Sequence, residues 1–226
     1  MILPVYKPVG MTSFDVIREF KRARFTGREP VKYKVGHGGT LDPFADGVLL
    51  LLLGKATKRM DEVSALPKTY RAVAKLGASS DTLDRTGVIS EKGEGKSEKF
   101  PTLGELVIIA NEFVGEIEQE IPDYSATKIN GVPRYKLARA GQAMDKKSKK
   151  VTIYKLEIEK IDEEMVTFTS TVSSGTYIRQ LSYDIFRSMG IDSYLENLTR
   201  TKIGDYSIED CKNIEDFKNF STASSL

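Results

Sequence analysis

Gly36-His37-Gly38-Gly39-Thr40-Leu41-Asp42-Pro43-Phe44-Ala45-Asp46-Gly47 runs without a break into the apolar stretch Val48-Leu49-Leu50-Leu51-Leu52-Leu53. Three glycines ahead of an aspartate permit tight turns and the close approach of a bulky ligand. Pro43 stiffens the chain directly after the acid. The apolar stretch falls far short of the roughly 20 residues a membrane helix needs, so it reads as a buried strand. Asp42 then sits on a loop anchored by a rigid element, as a catalytic group requires. A hairpin whose aspartate closes an Asx-turn would use the same residues. A phosphate cradle is less well served, because no Lys-Ser/Thr pair closes the loop.

Working outward, Ile2 to Val5 is a short apolar segment, and Thr12 or Ser13 caps a helix through about Arg24 with Phe14, Ile17 and Phe20 at helical spacing. Lys68 to Leu76 alternates with period two and places Tyr70, Ala72, Ala74 and Leu76 on one face of a strand. Glu91 to Lys99 reads as a polar loop. Thr102 and Glu105 form a capping box ahead of the stripe Leu106, Ile109, Ala110 and Phe113, with Gly115 at the helix end. Arg134 to Ala140 is a short basic helix closed by Gly141, and strands follow over Val151 to Ile161 and Met165 to Ser173. Tyr177 to Met189 is a helix ending at Gly190, and 205–226 is a tail whose Ile214 and Phe217 support a terminal helix at most. Strands that interleave with helices yet often follow one another directly predict an α+β fold. The expected form is a mixed, largely antiparallel central sheet flanked by helices, in one domain over 1–226.

Cys211 is the only cysteine and His37 the only histidine, which excludes an intrachain disulfide and His- or Cys-based metal clusters. No cofactor motif is present, and the N-terminus lacks a basic flank followed by a long apolar run. A cytoplasmic protein without metal or cofactor is expected. Net charge is only +2, but it is unevenly placed. Residues 1–60 hold eleven Lys and Arg against five Asp and Glu, and residues 128–155 hold nine against one. One basic face toward a polyanion fits this pattern, and so do plain solvated lysines.

GHGGTLDPFADGVL resembles the catalytic motif of the TruB family of tRNA pseudouridine synthases. Neighbouring segments agree in order: Lys7-Pro8-Val9-Gly10-Met11-Thr12-Ser13, Gly54-Lys55-Ala56-Thr57-Lys58, Lys68-Thr69-Tyr70-Arg71-Ala72, Tyr124-Ser125-Ala126-Thr127-Lys128 and Gly175-Thr176-Tyr177-Ile178-Arg179. The resemblance extends from Leu3 to about Arg200. It implies a pseudouridine synthase catalytic fold and three catalytic residues: Asp42 as nucleophile, Arg179 pairing with its carboxylate, and Tyr70 stacking on the flipped uracil. Tyr177 and Leu198 match positions that line the same pocket, and His37 matches one that enters the RNA loop. The basic stretch 128–150 matches an insertion that clamps the tRNA T-arm, which makes Lys128, Arg134, Lys136 and Arg139 candidate RNA ligands.

Phe44-Ala45-Asp46 looks more like the bacterial tRNA enzymes than the RNA-guided relatives, which usually carry a Lys after the Pro, so no guide RNA is expected. About 26 residues follow Arg200, too few for the small RNA-binding domain that members usually carry there. The T-arm stem-loop of tRNA is the expected partner and a monomer the expected state. Three rivals are a synthase acting on other RNA hairpins, a non-catalytic tRNA-binding or folding protein, and a nucleoside hydrolase. The hydrolase gives no reason for the basic insertion.

Overall fold

In the computed structural model the apolar stretch behind the glycine loop is a strand, Asp46–Leu53, whose last seven residues are all buried. A strand with one wet face alternates, and a strand covered on both faces becomes an unbroken apolar run. The structure describes residues 1–24, 34–91 and 100–218. The polar loop expected over Glu91 to Lys99 therefore lies, from residue 92 on, outside the described residues.

The first elements in chain order are β1 (Ile2–Lys7), α1 (Ser13–Ala23), β2 (Val35–His37), β3 (Asp46–Leu53), α2 (Met60–Ala65), β4 (Lys68–Leu76), β5 (Ala78–Ser80) and β6 (Ile89–Glu91). Next come α3 (Leu103–Glu112), β7 (Gly115–Glu120), β8 (Lys128–Ile129), β9 (Val132–Pro133) and α4 (Arg134–Arg139). The chain continues through β10 (Ser148–Asp162), β11 (Met165–Val172), α5 (Ile178–Ser188), β12 (Ser193–Ile203) and β13 (Tyr206–Ser207). Short 3-10 turns occupy Gly54–Arg59, Ile208–Asp210 and Ile214–Lys218. The fold is α+β, with a mixed sheet flanked by few helices.

The residues divide into two compact units, Met1–Arg71 with Leu198–Leu226, and Ala72–Asn197. In the first, β1 runs antiparallel to β3 with Val5 opposite Leu49. The other edge of β3 is shared: β2 pairs antiparallel with its end, His37 opposite Leu51, and β12 pairs parallel with its start, Arg200 opposite Gly47. Leu49, Leu51 and Leu53 pack with Val16, Ile17 and Phe20 of α1 and with Phe217. Val48, Leu50 and Leu52 pack with Ala56, Val63 and Ile203. Each buried leucine contributes roughly 1.5–3 kcal/mol relative to exposure, which makes β3 the axis of this unit.

Helix α1 starts on Thr12, one of the two caps its sequence offers, in a capping box with Asp15. Its buried positions are Ser13, Val16, Ile17 and Phe20, an i, i+3, i+4, i+7 set. Phe14, expected on the inner stripe, falls about 100° off that set and is 62% exposed. The expected tail also needs correction. Phe217 is fully buried, and its ring meets that of Phe20 edge-on, with centroids 5.2 Å apart and planes at 77°. Residues 206–218 complete the core of the first unit.

In the second unit β10 is the long central strand. It pairs antiparallel with β11 on one edge and with β7 on the other. Helix α3 begins on the predicted Thr102–Glu105 capping box and buries Leu106 and Ala110, with Ile109 and Phe113 half-buried. Strand β4 buries Tyr70, Ala72, Ala74 and Leu76 on one face, the alternation its sequence predicts. Strands β7 and β12 had no counterpart in the sequence reading. Half of Gly115–Glu120 is glutamate, and Ser193–Ile203 follows helix-ending Gly190 with a broken alternation.

Candidate active site

Asp42 owes its position to its neighbours. Ala45 N–H donates to Asp42 O at 3.1 Å, closing a turn with Pro43 at its second position. Leu41 is tied to Ser13, whose hydroxyl accepts from Leu41 N–H at 2.9 Å. Gly10 N–H donates to Pro43 O at 2.8 Å, and Gly38 N–H to Leu50 O at 2.9 Å. The residues on both sides of Asp42 are thus bound to the segment 10–13, while Asp42 itself stays half-buried. Lys7 braces the same region. Its buried ammonium donates to Pro8 O and Met11 O at 2.9 and 2.8 Å and to Ala45 O inside the motif. Burial is the largest cause that lowers its pKa, to about 8, with Arg200 adding to it while Asp46 and Asp42 oppose it.

Two glycines of the motif are required by geometry. Gly39 has φ +123°, a region L side chains rarely adopt. Gly47 has φ +109°, and a Cβ there would lie 2.2 Å from Arg200 O. At the far end of the motif Tyr6 donates to Asp46 Oδ2 at 2.6 Å, and burial together with that carboxylate raises the phenol to about 12.

Tyr70 and Leu198, both expected at the site, are buried on β4 and β12. Two residues beyond Leu198, Arg200 carries its guanidinium carbon 6.0 Å from the centroid of the Tyr70 ring. Burial and the Arg200 charge lower the pKa of His37, so its half-buried imidazole is neutral at pH 7. Rather than lying in the glycine loop, His37 closes strand β2, with its Nδ1 lacking a hydrogen-bond partner among the described residues.

In the second unit Arg179 stands in the first turn of α5 and is 4% exposed. It donates to Thr82 O at 2.7 Å and Tyr124 O at 2.9 Å, and lies 3.5 Å from Asp84 Oδ2. Asp84 is itself buried and accepts from Thr82 Oγ1 at 2.9 Å and from Thr86 N–H and Oγ1 at 2.9 and 2.5 Å. Tyr177 precedes α5 as its N-cap. Fully buried Gln119 grips its backbone from both sides, accepting from Tyr177 N–H at 2.8 Å and donating to Tyr177 O at 3.1 Å. The Tyr177 hydroxyl lies 2.9 Å from Thr127 Oγ1, and the Lys149 ammonium sits 4.3 Å from its ring centroid.

The basic stretch divides. Lys128, Lys136 and Arg139 are exposed, on the β8–β9 hairpin and α4, with the Arg139 guanidinium 5.7 Å from the Tyr135 ring. Arg134 departs from expectation. It is 1% exposed, ion-paired with Asp123 and donating to Asp145 O, so its charge is consumed inside the unit rather than offered to a phosphate. Lys149 and Lys150 belong to strand β10, and the exposed Lys146 and Lys150 pair with Glu120 and Glu116 of β7. Exposed pairs of this kind are weak, roughly 0–1 kcal/mol each.

Four buried polar residues around these positions were not singled out as site candidates from the sequence: Lys7, Asp84, Gln119 and Arg200. Asp84 had a local signal, the Thr82-x-Asp84-x-Thr86 spacing that fills a carboxylate's acceptor sites. The burial of the other three depends on strand partners that no local pattern names.

Residues 25–178 match the family model described as TruB family pseudouridylate synthase (N terminal domain). The chain belongs to the TruB family. Its relatives include tRNA pseudouridine synthase B of Clostridium tetani, 44% identical over 216 residues, covering 95% of this chain and 71% of that protein. The synthase B of Aquifex aeolicus is 40% identical over 217 residues, 95% of this chain and 72% of that one. Among solved structures, a chain of a Cbf5-Nop10-Gar1 complex superposes with a TM-score of 0.70 at 27% identity. That match covers 97% of this chain and 54% of the other, so this chain spans about half of it. As a TruB-family pseudouridylate synthase the protein is an isomerase acting on RNA, and the family range takes in both Asp42 and Tyr70.

Proposed function

We propose that this TruB-family protein converts the T-loop uridine of tRNA to pseudouridine, with Asp42 as nucleophile. The N1–C1′ bond of the uridine breaks, a C5–C1′ bond forms, the C5 hydrogen leaves to solvent and N1 gains a proton. A carboxylate serves this rearrangement by attacking C6 of the base or C1′ of the sugar, or by assisting glycal formation. Neither redox chemistry nor an external energy source is needed. The observation that carries the reading is the setting of Asp42, on a turn whose flanking residues 41 and 43 are both hydrogen-bonded to the segment 10–13. A reactive group held from both sides is positioned for attack without losing its access to substrate.

The target uridine leaves its stack to reach the carboxylate, and its base stacks on the Tyr70 ring. Arg179 and Tyr177 are assigned to the same chemistry on the family pattern, with Leu198 as an apolar wall and His37 in the RNA loop. Lys128, Lys136 and Arg139 contact T-arm phosphates, and these contacts weaken with salt. Transfer RNA as substrate is supported by relatives named tRNA pseudouridine synthase B at 40–44% identity, against 27% for the guide-particle chain. The protein acts as a monomer in the cytoplasm, with no guide RNA.

Incubating the protein with unmodified tRNA transcript and mapping pseudouridine by carbodiimide labelling tests this. One T-loop signal that disappears in Asp42→Ala is expected. Tight tRNA binding by both proteins with no pseudouridine would instead identify a non-catalytic tRNA-binding protein.

A further inference from the structure

We propose that Arg200 is a positioning residue of the reaction, fixing the loop that carries Asp42 and the ring of Tyr70 in a single setting. The inference rests on the pseudouridine synthase reading above and adds a residue to its machinery.

Arg200 lies on β12 at 1% exposure, its backbone paired with Gly47. Its guanidinium bonds both ends of the catalytic motif. Nη2 donates to Gly39 O at 3.2 Å and Nη1 to Thr40 O at 3.2 Å, three and two residues before Asp42. Nε donates to Val48 O at 2.8 Å, where the loop becomes strand β3. Nη1 also lies 3.5 Å from the Tyr70 hydroxyl. One rigid planar fork thus spans the loop entrance, the loop exit and the stacking residue, a geometry that a lysine's single ammonium cannot reproduce.

The energetics point the same way. Among the described residues every oxygen that accepts from this guanidinium is neutral, three carbonyls and a phenol. Burying a cation against neutral oxygens carries a desolvation cost of several kcal/mol that an apolar side chain of similar size avoids. The charge also acts on its surroundings, helping to lower the pKa values of Lys7, Lys68 and His37. A residue kept only for packing has no need of such a group. One that must hold two backbone segments and a side chain in fixed relation does, because charge-assisted hydrogen bonds are the strong ones. The absence of a Cβ at Gly47 lets β12 pair directly against the motif, since a Cβ there would fall 2.2 Å from Arg200 O.

The test uses Arg200→Lys and Arg200→Gln in the full chain, with tRNA transcript tritiated at uridine C5 so that each turnover releases label to water. Expected for R200K are a single-turnover rate at least 100-fold below wild type and a tRNA Kd within threefold of it. Hydrogen exchange over residues 38–48 should accelerate at least tenfold, with no change over α5. A single-turnover rate within threefold of wild type, or a rate loss without faster exchange in 38–48, would overturn the proposal. So would unfolding of both variants at the assay temperature, which would make Arg200 a residue of general stability. A wild-type protein that releases no tritium would sink the proposed function rather than this assignment.

Discussion

Replacing Asp84 with asparagine isolates the contribution of its charge, because the two side chains have nearly the same shape. The carboxylate is buried, accepts from Thr82 and twice from Thr86, and lies 3.5 Å from the Arg179 guanidinium. Hydrogen bonds to a charged group contribute roughly 1.5–3 kcal/mol and neutral ones about 1 kcal/mol, so neutralising the acceptor costs on the order of 1 kcal/mol per bond. The amide NH2 must also face one of the donors that the carboxylate had satisfied, and a buried guanidinium loses its nearby anion. Together these give a loss of about 2–4 kcal/mol, at the lower edge of the range for breaking a buried ion pair. For a chain of this size that is a Tm drop of roughly 5–15 °C, readable by scanning calorimetry. Arg179 then loses its fixed orientation, and single-turnover tritium release should fall by about 100-fold, equivalent to roughly 2.7 kcal/mol of barrier. A D84N protein that melts within 2 °C of wild type and turns over within threefold of it would refute the view that Asp84 holds Arg179 for catalysis.

Truncating Phe217 to alanine should cost about 3–5 kcal/mol, since the ring is fully buried and meets Phe20 edge-on; urea denaturation reads the loss, and a change under 1 kcal/mol would return 205–218 to the status of a tail. A pH prediction follows from Lys7 and Lys68, whose pKa values burial lowers from 10.5 to about 8. Below pH 8 both states carry these protons and the term is flat; between about 8 and 10 the unfolded chain keeps protons that the native amines have shed, so stability rises with pH by about 2 kcal/mol per lysine. From pH 9 Cys211 opposes the rise, because burial lifts its native thiol from 9.0 to about 11, and Tyr6, whose native phenol holds its proton to about 12, adds to this. The trend reverses once the unfolded lysines titrate, above about pH 10.5. Urea midpoints at pH 8, 9 and 10 measure the rise, and in Lys7→Met it should shrink by more than half; an unchanged slope in that variant would exclude Lys7 as a source.

Much of the fold was legible because its signals are local. The Thr12 and Thr102 capping boxes, the period-two alternation of Lys68 to Leu76 and the doubly covered leucine run all announce themselves within ten residues. What stayed hidden depends on partners distant in sequence. Strand β7 reads as a charged loop until it pairs with β10, where Glu116 and Glu120 meet Lys150 and Lys146. Strand β12 carries a buried arginine at an inward position, which breaks the apolar alternation that would have marked it. At the candidate site the motif singles out Asp42 as an expectation, but the contacts that hold its loop have no local signal. Arg134 failed in the opposite direction: a basic run advertises phosphate binding, and only the fold shows that Asp123 and Asp145 use this member of it.

The segment Lys7 to Ser13 acquires a physical role from these contacts. A nucleophilic carboxylate has to be both exposed to its substrate and immobile, and burying it to gain rigidity would favour the protonated, unreactive form. This chain immobilises the backbone around Asp42 instead. Ser13 holds residue 41, Gly10 holds residue 43, and Lys7 holds residue 45 through an ammonium that is fully buried in order to reach it. Gly10 has φ +87°, which lets the segment double back within bonding distance of Pro43. With Asp42 as the proposed nucleophile, tethers of its backbone act on the placement of the carboxylate, so substitutions here should lower kcat more than they raise KM. Ser13→Ala is the mildest such change, removing one hydroxyl that both accepts from and donates to Leu41. A tenfold or greater fall in kcat with KM unchanged is expected from it, and a rise in KM at constant kcat would show that the segment contacts RNA directly.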